Sequence, residues 1–529
     1  MPFLGGLQGK SLYRAMSACC GAAFMLYGWD AGEYCYIFEE KAALDTFPGV
    51  LGGIQETPQF RGAIGNPEGA FVIPIIASVY NLAAGVMSLC VTFFGMQLGR
   101  KRTILLGDLL ICIGAVLQAA TYSVGQIIAG RIICGFGIGC IASAVPTYMA
   151  EMSLEASERG PEVSYQLALL ITGVALAYWV DLGFVQGLDS HPWLWRIPLA
   201  MQSCFAIFSA GLLAFLPDTP RWYYARGRLD EGDRVLARLY ALPVEHESVQ
   251  MVREEVLASL QEESHTEDQF KWWQLFWDNS DLQFGRRLRT SFLILWAQQF
   301  LGINMLIFSN LGYSLQLSGI LAGVLNTVFA LASYPPIWLI ERIGRRALMF
   351  WGALGCGACM LIYVVLTTLP ASKMTAGTNW AAVVFIILYE VVFGIGWLGT
   401  CWVYGPEIAP LKYRHVAGGL GAAGEWFSTW VMVFGGGTGI NAVGAPIFIW
   451  PLLCCFLAAA YVWFCCPETT GKTLEEIDVL FARGAAKERL EAGAIGTNRG
   501  RRASLASSLG EKRRHSGVSR HERIGDENA

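Results

Sequence analysis

Charged residues are scarce in this sequence. They make up 15% of its 529 residues, where a soluble globular chain carries about 25%. That shortage excludes a protein surrounded by water on all sides. Histidine is scarcer still: His191, His246, His265, His415, His515 and His521 are the only six, and all fall in polar loops or the tail. No histidine, cysteine and acid cluster forms at a membrane face, as a membrane enzyme would require, so neither a metal site, a cofactor nor an enzymatic reaction is expected. No Asn-x-Ser/Thr acceptor for N-glycosylation occurs. A net charge of −4 gives no footprint for nucleic acid. The first apolar stretch lacks a small-residue cleavage site and exceeds a signal core in length, so it is expected to be retained.

What the chain has in excess is apolar length. Hydrophobic residues reach 54%, and apolar segments near the ~20 residues needed to cross a bilayer recur along almost the whole chain. Twelve are expected. Six lie at about 16–38, 71–96, 103–122, 124–150, 164–184 and 197–216, and six at about 291–313, 318–340, 347–369, 381–404, 418–440 and 447–466. The expected fold is an all-α integral membrane protein of twelve transmembrane helices in two pseudo-symmetric six-helix halves. The expected divisions are a cytoplasmic N-terminus (1–15), an N-terminal half (16–220), a linker (221–290), a C-terminal half (291–467) and a tail (468–529). Most of the 15 cysteines lie in or beside spans and read as small apolar packing residues, not as a disulfide framework.

Orientation follows from lysine and arginine, which concentrate in cytoplasmic loops. With both termini inside, only Lys41, Arg61, Arg196 and Lys373 fall in or beside outer loops and Arg131 falls within a span; the rest of the 38 basic residues are cytoplasmic. The halves also echo each other. "LGRKR" (98–102) follows the second span and "ERIGRR" (341–346) the eighth. Glu151 and Arg159 close the fourth, Glu407 and Arg414 the tenth. "PDTPRW" (217–222) ends the sixth and "PETTGKT" (467–473) the twelfth. Repeated halves with a midplane site between them are the architecture of many secondary transporters. Arginine and glutamate at helix ends can form cytoplasmic ion pairs that hold the halves together and release in another state. The candidate gate residues are Arg100, Glu151, Arg159, Arg221, Glu341, Arg345, Glu407 and Arg414.

The chain resembles the sugar porter family of the major facilitator superfamily, particularly its fungal members, over about residues 25–480. The resemblance rests on "GWD.G" (28–32), "GRIICGFGIG" (130–139), "PTYMAEMS" (146–153), "YQL" (165–167), "AYW.D" (177–181), "WRIP" (195–198) and "PDTPRW". In the second half it rests on "QQFLGIN" (298–304), "ERIGRR", "WVYGPEIAPLKYR" (402–414) and "PETTGKTLEEID" (467–478). It implies a transporter working by alternating access on a sugar or related polyol, most naturally in the plasma membrane. It marks Gln166, Gln298, Gln299, Asn304 and Asn326 as the binding amides and Trp402 as the ring-stacking tryptophan. Amides suit such a cargo because each offers a donor and an acceptor to hydroxyl groups, and an indole face covers the C–H surface of a pyranose. For Asn326, interhelical bonding is an equal alternative.

The first span carries Asp30 and Glu33, although a carboxylate at the bilayer centre costs roughly 2.5–3.5 kcal/mol on insertion scales. Arg131, opening the Gly-rich fourth span, is the expected partner of Asp30, since each charge is costly alone and much cheaper paired. In the resembled family an aspartate at this place accompanies proton coupling. A pair that breaks on protonation would give the transport equilibrium a proton handle; a permanent structural salt bridge is the alternative. Glu33 is one helical turn away and is either a second proton site or a water-facing acid.

The chain also departs from the family pattern. Met96 and Gln97 replace the usual opening of the first turn motif, Phe308 and Ser309 a tyrosine pair, and Leu398-Gly399 a Gly-Pro ahead of Trp402. Glu425 stands beside Trp426 where the family commonly has asparagine. Both join the candidate binding set, with the role of Glu425 open between a hydroxyl acceptor, a partner for a cationic ligand, a titrating group and a buried neutral acid. Amphipathic stretches at 228–240 and 249–260 suggest short linker helices. "RRAS" (501–504) and "RRHS" (513–516), in a tail read as disordered beyond about 485, are candidate phosphorylation sites. The function expected is sugar/H+ symport, with the bilayer, a sugar or polyol and protons as partners. The alternatives are a non-transporting sugar sensor on the same fold and a facilitator or exporter of another small metabolite.

Overall fold

A single residue, Gly99, separates the second long helix from the third, and Gly344 does the same for the eighth and ninth. Their φ angles of +92° and +99° lie where side chains other than glycine are strained, so each reverses the chain without a loop. The computed structural model describes residues 6–33, 57–67, 71–153, 159–188, 191, 193–265, 272–278, 280, 282–303, 315–409, 414–472, 474–483 and 487.

All regular structure among these residues is helical. The first half comprises α1 (Gly9–Glu33), a short α2 (Pro58–Ala63), α3 (Val72–Leu98), α4 (Arg100–Ala119), α5 (Val124–Met152), α6 (Arg159–Gly187) and α7 (Trp193–Phe215). The linker contributes α8 (Pro220–Ala225), α9 (Leu229–Tyr240) and α10 (Glu247–His265). The second half comprises α11 (Phe284–Phe300), α12 (Leu315–Ala332), α13 (Pro336–Ile343), α14 (Arg345–Thr367), α15 (Ala376–Phe393), α16 (Gly399–Ile408), α17 (Arg414–Val443) and α18 (Ile449–Cys465), followed by α19 (Leu474–Phe481).

Among the described residues a helix thus overlaps each of the twelve apolar segments in whole or in part. Among the described residues eight helices are individually long and apolar enough to cross a membrane, and α12 with α13, bent by 47° at their junction, makes a ninth. Of the others, α11 has only 17 residues and opens with Arg286, Arg287 and Arg289. The tenth segment is one run in which α15 passes through a π-helical turn, Gly394–Leu398, into α16. That turn occupies the place where Leu398-Gly399 departs from the family pattern.

Side-chain caps set several helix starts: Ser123 Oγ accepts from Gln126 N at 3.3 Å, and Thr375 and Thr378 form a reciprocal capping box on α15. Within the first half α3, α4 and α5 pack together, as do α1 and α6; within the second, α14 packs on α15 and α18. Across the halves α17 lies along α3 and α12 along α6. The linker helices have a small core of their own, formed by Tyr224, Leu236 and Val249, and the Tyr224 hydroxyl donates to Asp233 at 2.7 Å.

Contacts group Met1–Lys271 with Arg287–Thr470, and Trp272–Arg286 with Gly471–Ala529. In the second of these units Gln283 Nε2 donates to Phe481 O at 2.8 Å, and the Asp278 carboxylate accepts from Gly285 N at 2.7 Å. Among the described residues the fourteen cysteines form no disulfide with one another. Asn304, Phe308, Ser309 and the two candidate phosphorylation motifs lie outside the described residues, as do the side chains of Glu33, Met96, Arg159 and Arg414.

Candidate functional site

Asp30 and Arg131 meet inside the first half. Both are buried, and Arg131 Nη1 donates to Asp30 Oδ1 at 3.1 Å. The glycines of α5 allow this: a Cβ at Gly135 would stand 2.4 Å from Tyr80 O, so α3 lies directly against α5. That contact brings two backbone carbonyls to the guanidinium, Ile76 O at 3.4 Å from Nε and Ala77 O at 3.3 Å from Nη2. Its Cζ lies over the Tyr80 ring, 4.3 Å from the centroid, a cation–π contact worth about 2 kcal/mol or more when desolvated.

Tyr80 also faces the second half. Its ring meets Trp426 edge-on at 5.8 Å, and Tyr27 packs against the same indole at 5.0 Å. Beside Trp426, Glu425 is buried on α17, and its Oε1 accepts from Gln299 Nε2 at 3.2 Å. The Tyr27 phenol is a further neighbour of that carboxyl. The structure therefore joins Asp30, Arg131, Gln299, Glu425 and Trp426 into one continuous cluster spanning both halves. The residues that complete it, Tyr27 and Tyr80, were not singled out from sequence, although Tyr27 lies one helical turn before Asp30.

The remaining amides are held separately. Gln298 Nε2 donates to Leu398 O, at the end of the π turn, at 3.3 Å. Gln166 Nε2 donates to Glu162 Oε1 at 2.7 Å, an oxygen that Ser17 Oγ reaches at the same distance. Because a carboxylate oxygen and a carbonyl oxygen accept from these two amide nitrogens, their orientations are determined, and the Oε1 atoms of Gln166 and Gln298 are left buried without a protein partner. Glu162, which fixes Gln166, is a third residue not foreseen. Asn326 makes a local bond, Nδ2 to Ala322 O at 3.0 Å. Trp402 is buried on α16.

At matching helix ends the two halves repeat one device. Arg100 Nη2 donates to Glu151 Oε1 at 2.6 Å, and Arg100 N, opening α4, donates to Asp218 Oδ1 at 3.2 Å. In the second half Arg345 Nη2 donates to Glu407 Oε1 at 2.8 Å, and Arg345 N, opening α14, donates to Glu468 Oε1 at 3.0 Å. Arg345 also holds Glu341. A Cβ at Gly160 would stand 2.9 Å from Glu341 Oε1, so this network abuts the start of α6 from the opposite half. Arg221 is half-buried on α8, and Arg159 and Arg414 begin α6 and α17. Asp218 and Glu468, the acids inside "PDTPRW" and "PETTGKT", act as helix caps, a role the sequence reading did not assign.

Asp218 and Glu468 carry opposite proton affinities. Burial raises the Asp218 carboxyl above its ordinary value despite bonds from Thr219 and Lys101 backbone. Burial would raise Glu468 too, but bonds from Thr470, Arg345 and Thr469 outweigh it and hold the carboxyl low.

A family model described as "Sugar (and other) transporter" matches residues 15–481. The chain is 30% identical to the major facilitator superfamily transporter mfsA of Aspergillus fumigatus over 491 residues, covering 90% of this chain and 88% of that protein. It is 29% identical to the sugar transporter STL1 of Saccharomyces cerevisiae, covering 90% and 83%. Among solved structures, the proton:xylose symporter XylE with bound 6-bromo-6-deoxy-D-glucose superposes with a TM-score of 0.73 at 20% identity, covering 89% of this chain and all of the other. The repeated halves, the helical bundle and these matches agree: the chain is a membrane transporter, not an enzyme, and belongs to the Sugar (and other) transporter family of the major facilitator superfamily.

Proposed function

We propose that this protein carries a sugar or related polyol across the plasma membrane by alternating access, in symport with protons, with both termini in the cytoplasm. The observation that carries the reading is the buried Asp30–Arg131 pair at 3.1 Å, supported by the protein partners that Gln166 and Gln298 still lack. Buried polar atoms are seldom left unpaired unless a ligand or water completes them, and hydroxyl groups of a sugar are suitable donors to two amide oxygens. Protonation of Asp30 would free Arg131 and loosen α1 from α5, biasing the equilibrium between the two access states.

The six-helix halves, 16–220 and 291–467, are the moving bodies. The linker 221–290 joins them, and the ion pairs Arg100–Glu151 and Arg345–Glu407 form the inner gate with Arg159, Arg221, Glu341 and Arg414. The presence of XylE, titled a proton:xylose symporter, among the structural neighbours supports this reading by fold. A second reading, carriage of a non-sugar metabolite, is favoured by Glu425, a carboxyl beside the candidate binding amide Gln299.

The test uses transporter-deficient cells expressing the protein in light buffer, with hexoses, pentoses, disaccharides and polyols added singly. External alkalinisation that disappears in Asp30→Asn, with labelled-sugar exchange retained, is expected. Uptake that is indifferent to Asp30→Asn would refute symport, and absence of any sugar flux or competition would refute the cargo.

A further inference from the structure

Glu425 differs from every other charged group in the cluster by its company. Asp30 has Arg131, whereas among the described residues no lysine or arginine pairs with Glu425. Its Oε1 takes one bond from Gln299 Nε2. The titratable groups facing it are Tyr27 from α1 and Cys401 from α16. Tyr80 on α3, which Arg131 of α5 and through it Asp30 of α1 adjoin, touches the ring of the next residue, Trp426. From α11 comes only the neutral amide of Gln299. A carboxylate in such a place bears the full cost of burial without a counter-ion, a cost that a bound proton removes.

The position also crosses the line along which the halves must part. Tyr27 and Tyr80 belong to the first half, Glu425, Trp426 and Gln299 to the second. An ionised Glu425 draws the Tyr27 hydroxyl as a donor; a protonated one offers its own O–H and weakens that attraction. We propose that Glu425 is a second proton-binding carboxyl, one that loads and releases a proton independently of Asp30 and reports its charge to the opposite half through Tyr27 and the Trp426–Tyr80 contact. This rests on the carrier reading above for its place in a transport cycle, but not for the proton site itself. A proton adds to one carboxylate oxygen and leaves from it, and no other group is consumed.

The test needs no knowledge of the cargo. The full chain, reconstituted in lipid vesicles, is stepped through pH while infrared difference spectra record the C=O stretch of protonated carboxyls. Glu425→Gln is expected to lose one titrating band that Asp30→Asn retains, and Glu425→Asp to move that band in frequency. Spectra of Glu425→Asp and Glu425→Gln superimposable on the wild type would overturn the proposal, and Glu425→Asp alone decides it if the Gln variant does not fold. Labelled D-glucose and glycerol exchange is measured on the same vesicles. A Glu425 band without flux of either probe or of the wider panel would refute the sugar reading while supporting the proton site. Flux with no Glu425 band would do the reverse.

Discussion

Arg131 holds Asp30 at 3.1 Å and simultaneously caps the carbonyls of Ile76 and Ala77. One side chain thus ties α1, α3 and α5 together. Removing one member of a buried pair strands the other and costs about 3–5 kcal/mol, whereas replacing both is far cheaper. Arg131→Met is therefore expected to lower thermal stability sharply, and Asp30→Asn in addition to recover much of the loss. A cycle of the two single variants and the double, followed by thermal unfolding of purified protein, should yield a large coupling. Additive losses would mean that the pair is not energetically joined.

Gly99 and Gly344 are irreplaceable for two reasons that act together. Each has a φ near +95° within a backbone region that is essentially glycine-only, where a side chain costs about 1–3 kcal/mol. Each would also thrust a Cβ into an acid cap: 2.4 Å from Asp218 Oδ2 at Gly99, and 2.6 Å from Glu468 Oε2 at Gly344. Gly99→Ala and Gly344→Ala should both destabilise by at least the backbone cost, while Gly211→Ala, which meets nothing within 4 Å, should be near neutral. Melting temperatures of the three variants check the contrast.

The two caps should respond to acid in opposite directions. The folded Glu468 carboxyl is held below its ordinary value, so its stabilisation is complete above about pH 4.3 and is lost as pH falls through the lower, folded value. The folded Asp218 carboxyl is raised by burial, so its ionisation opposes folding at neutral pH and stability is gained as pH falls through the raised value. Glu468→Gln should flatten the acid-side loss, and Asp218→Asn should remove the gain. Unfolding midpoints measured from about pH 7 to about pH 2 would show both, and a common slope in the two variants would contradict the assignment.

Much of this architecture was legible in the sequence because a bilayer restricts what a chain can do. Backbone groups in lipid must bond within a helix, so apolar length alone located the twelve segments. A charge in lipid must find a partner, so Asp30 with Arg131 followed from two lone charges, whereas the repeat marked Arg345 and Glu407 as gate residues without pairing them. Glu468 and Asp218 were hidden because a cap is a backbone event: "PET" and "PDT" read as turn residues, and nothing in them says whose amide they meet. Tyr27 and Tyr80 were hidden because aromatic residues are ordinary in membrane helices, and only the approach of α17 to α3 and α1 distinguishes these two. The π turn at Gly394–Leu398 escaped because its sequence, "GIGWL", also suits a regular helix.

Gln298 offers the sharpest test of the cargo site. Its Nε2 is committed to Leu398 O, so Oε1 alone is left to meet a ligand. If a sugar hydroxyl donates to that oxygen, Gln298→Ala removes one hydrogen bond worth about 0.5–1.5 kcal/mol, a rise in KM of roughly 2- to 12-fold. Gln298→Glu keeps the acceptor but turns the other oxygen towards Leu398 O, placing two acceptors face to face in a buried setting. It is therefore expected to be worse than alanine at neutral pH, and to recover on acidification, when the added carboxyl can donate to Leu398 O. Initial rates of labelled-sugar uptake across pH for the two variants measure this directly. Equal KM values for wild type and Gln298→Ala would remove Gln298 from the site, and a Gln298→Glu profile parallel to the wild type would show that its amide orientation is not what matters.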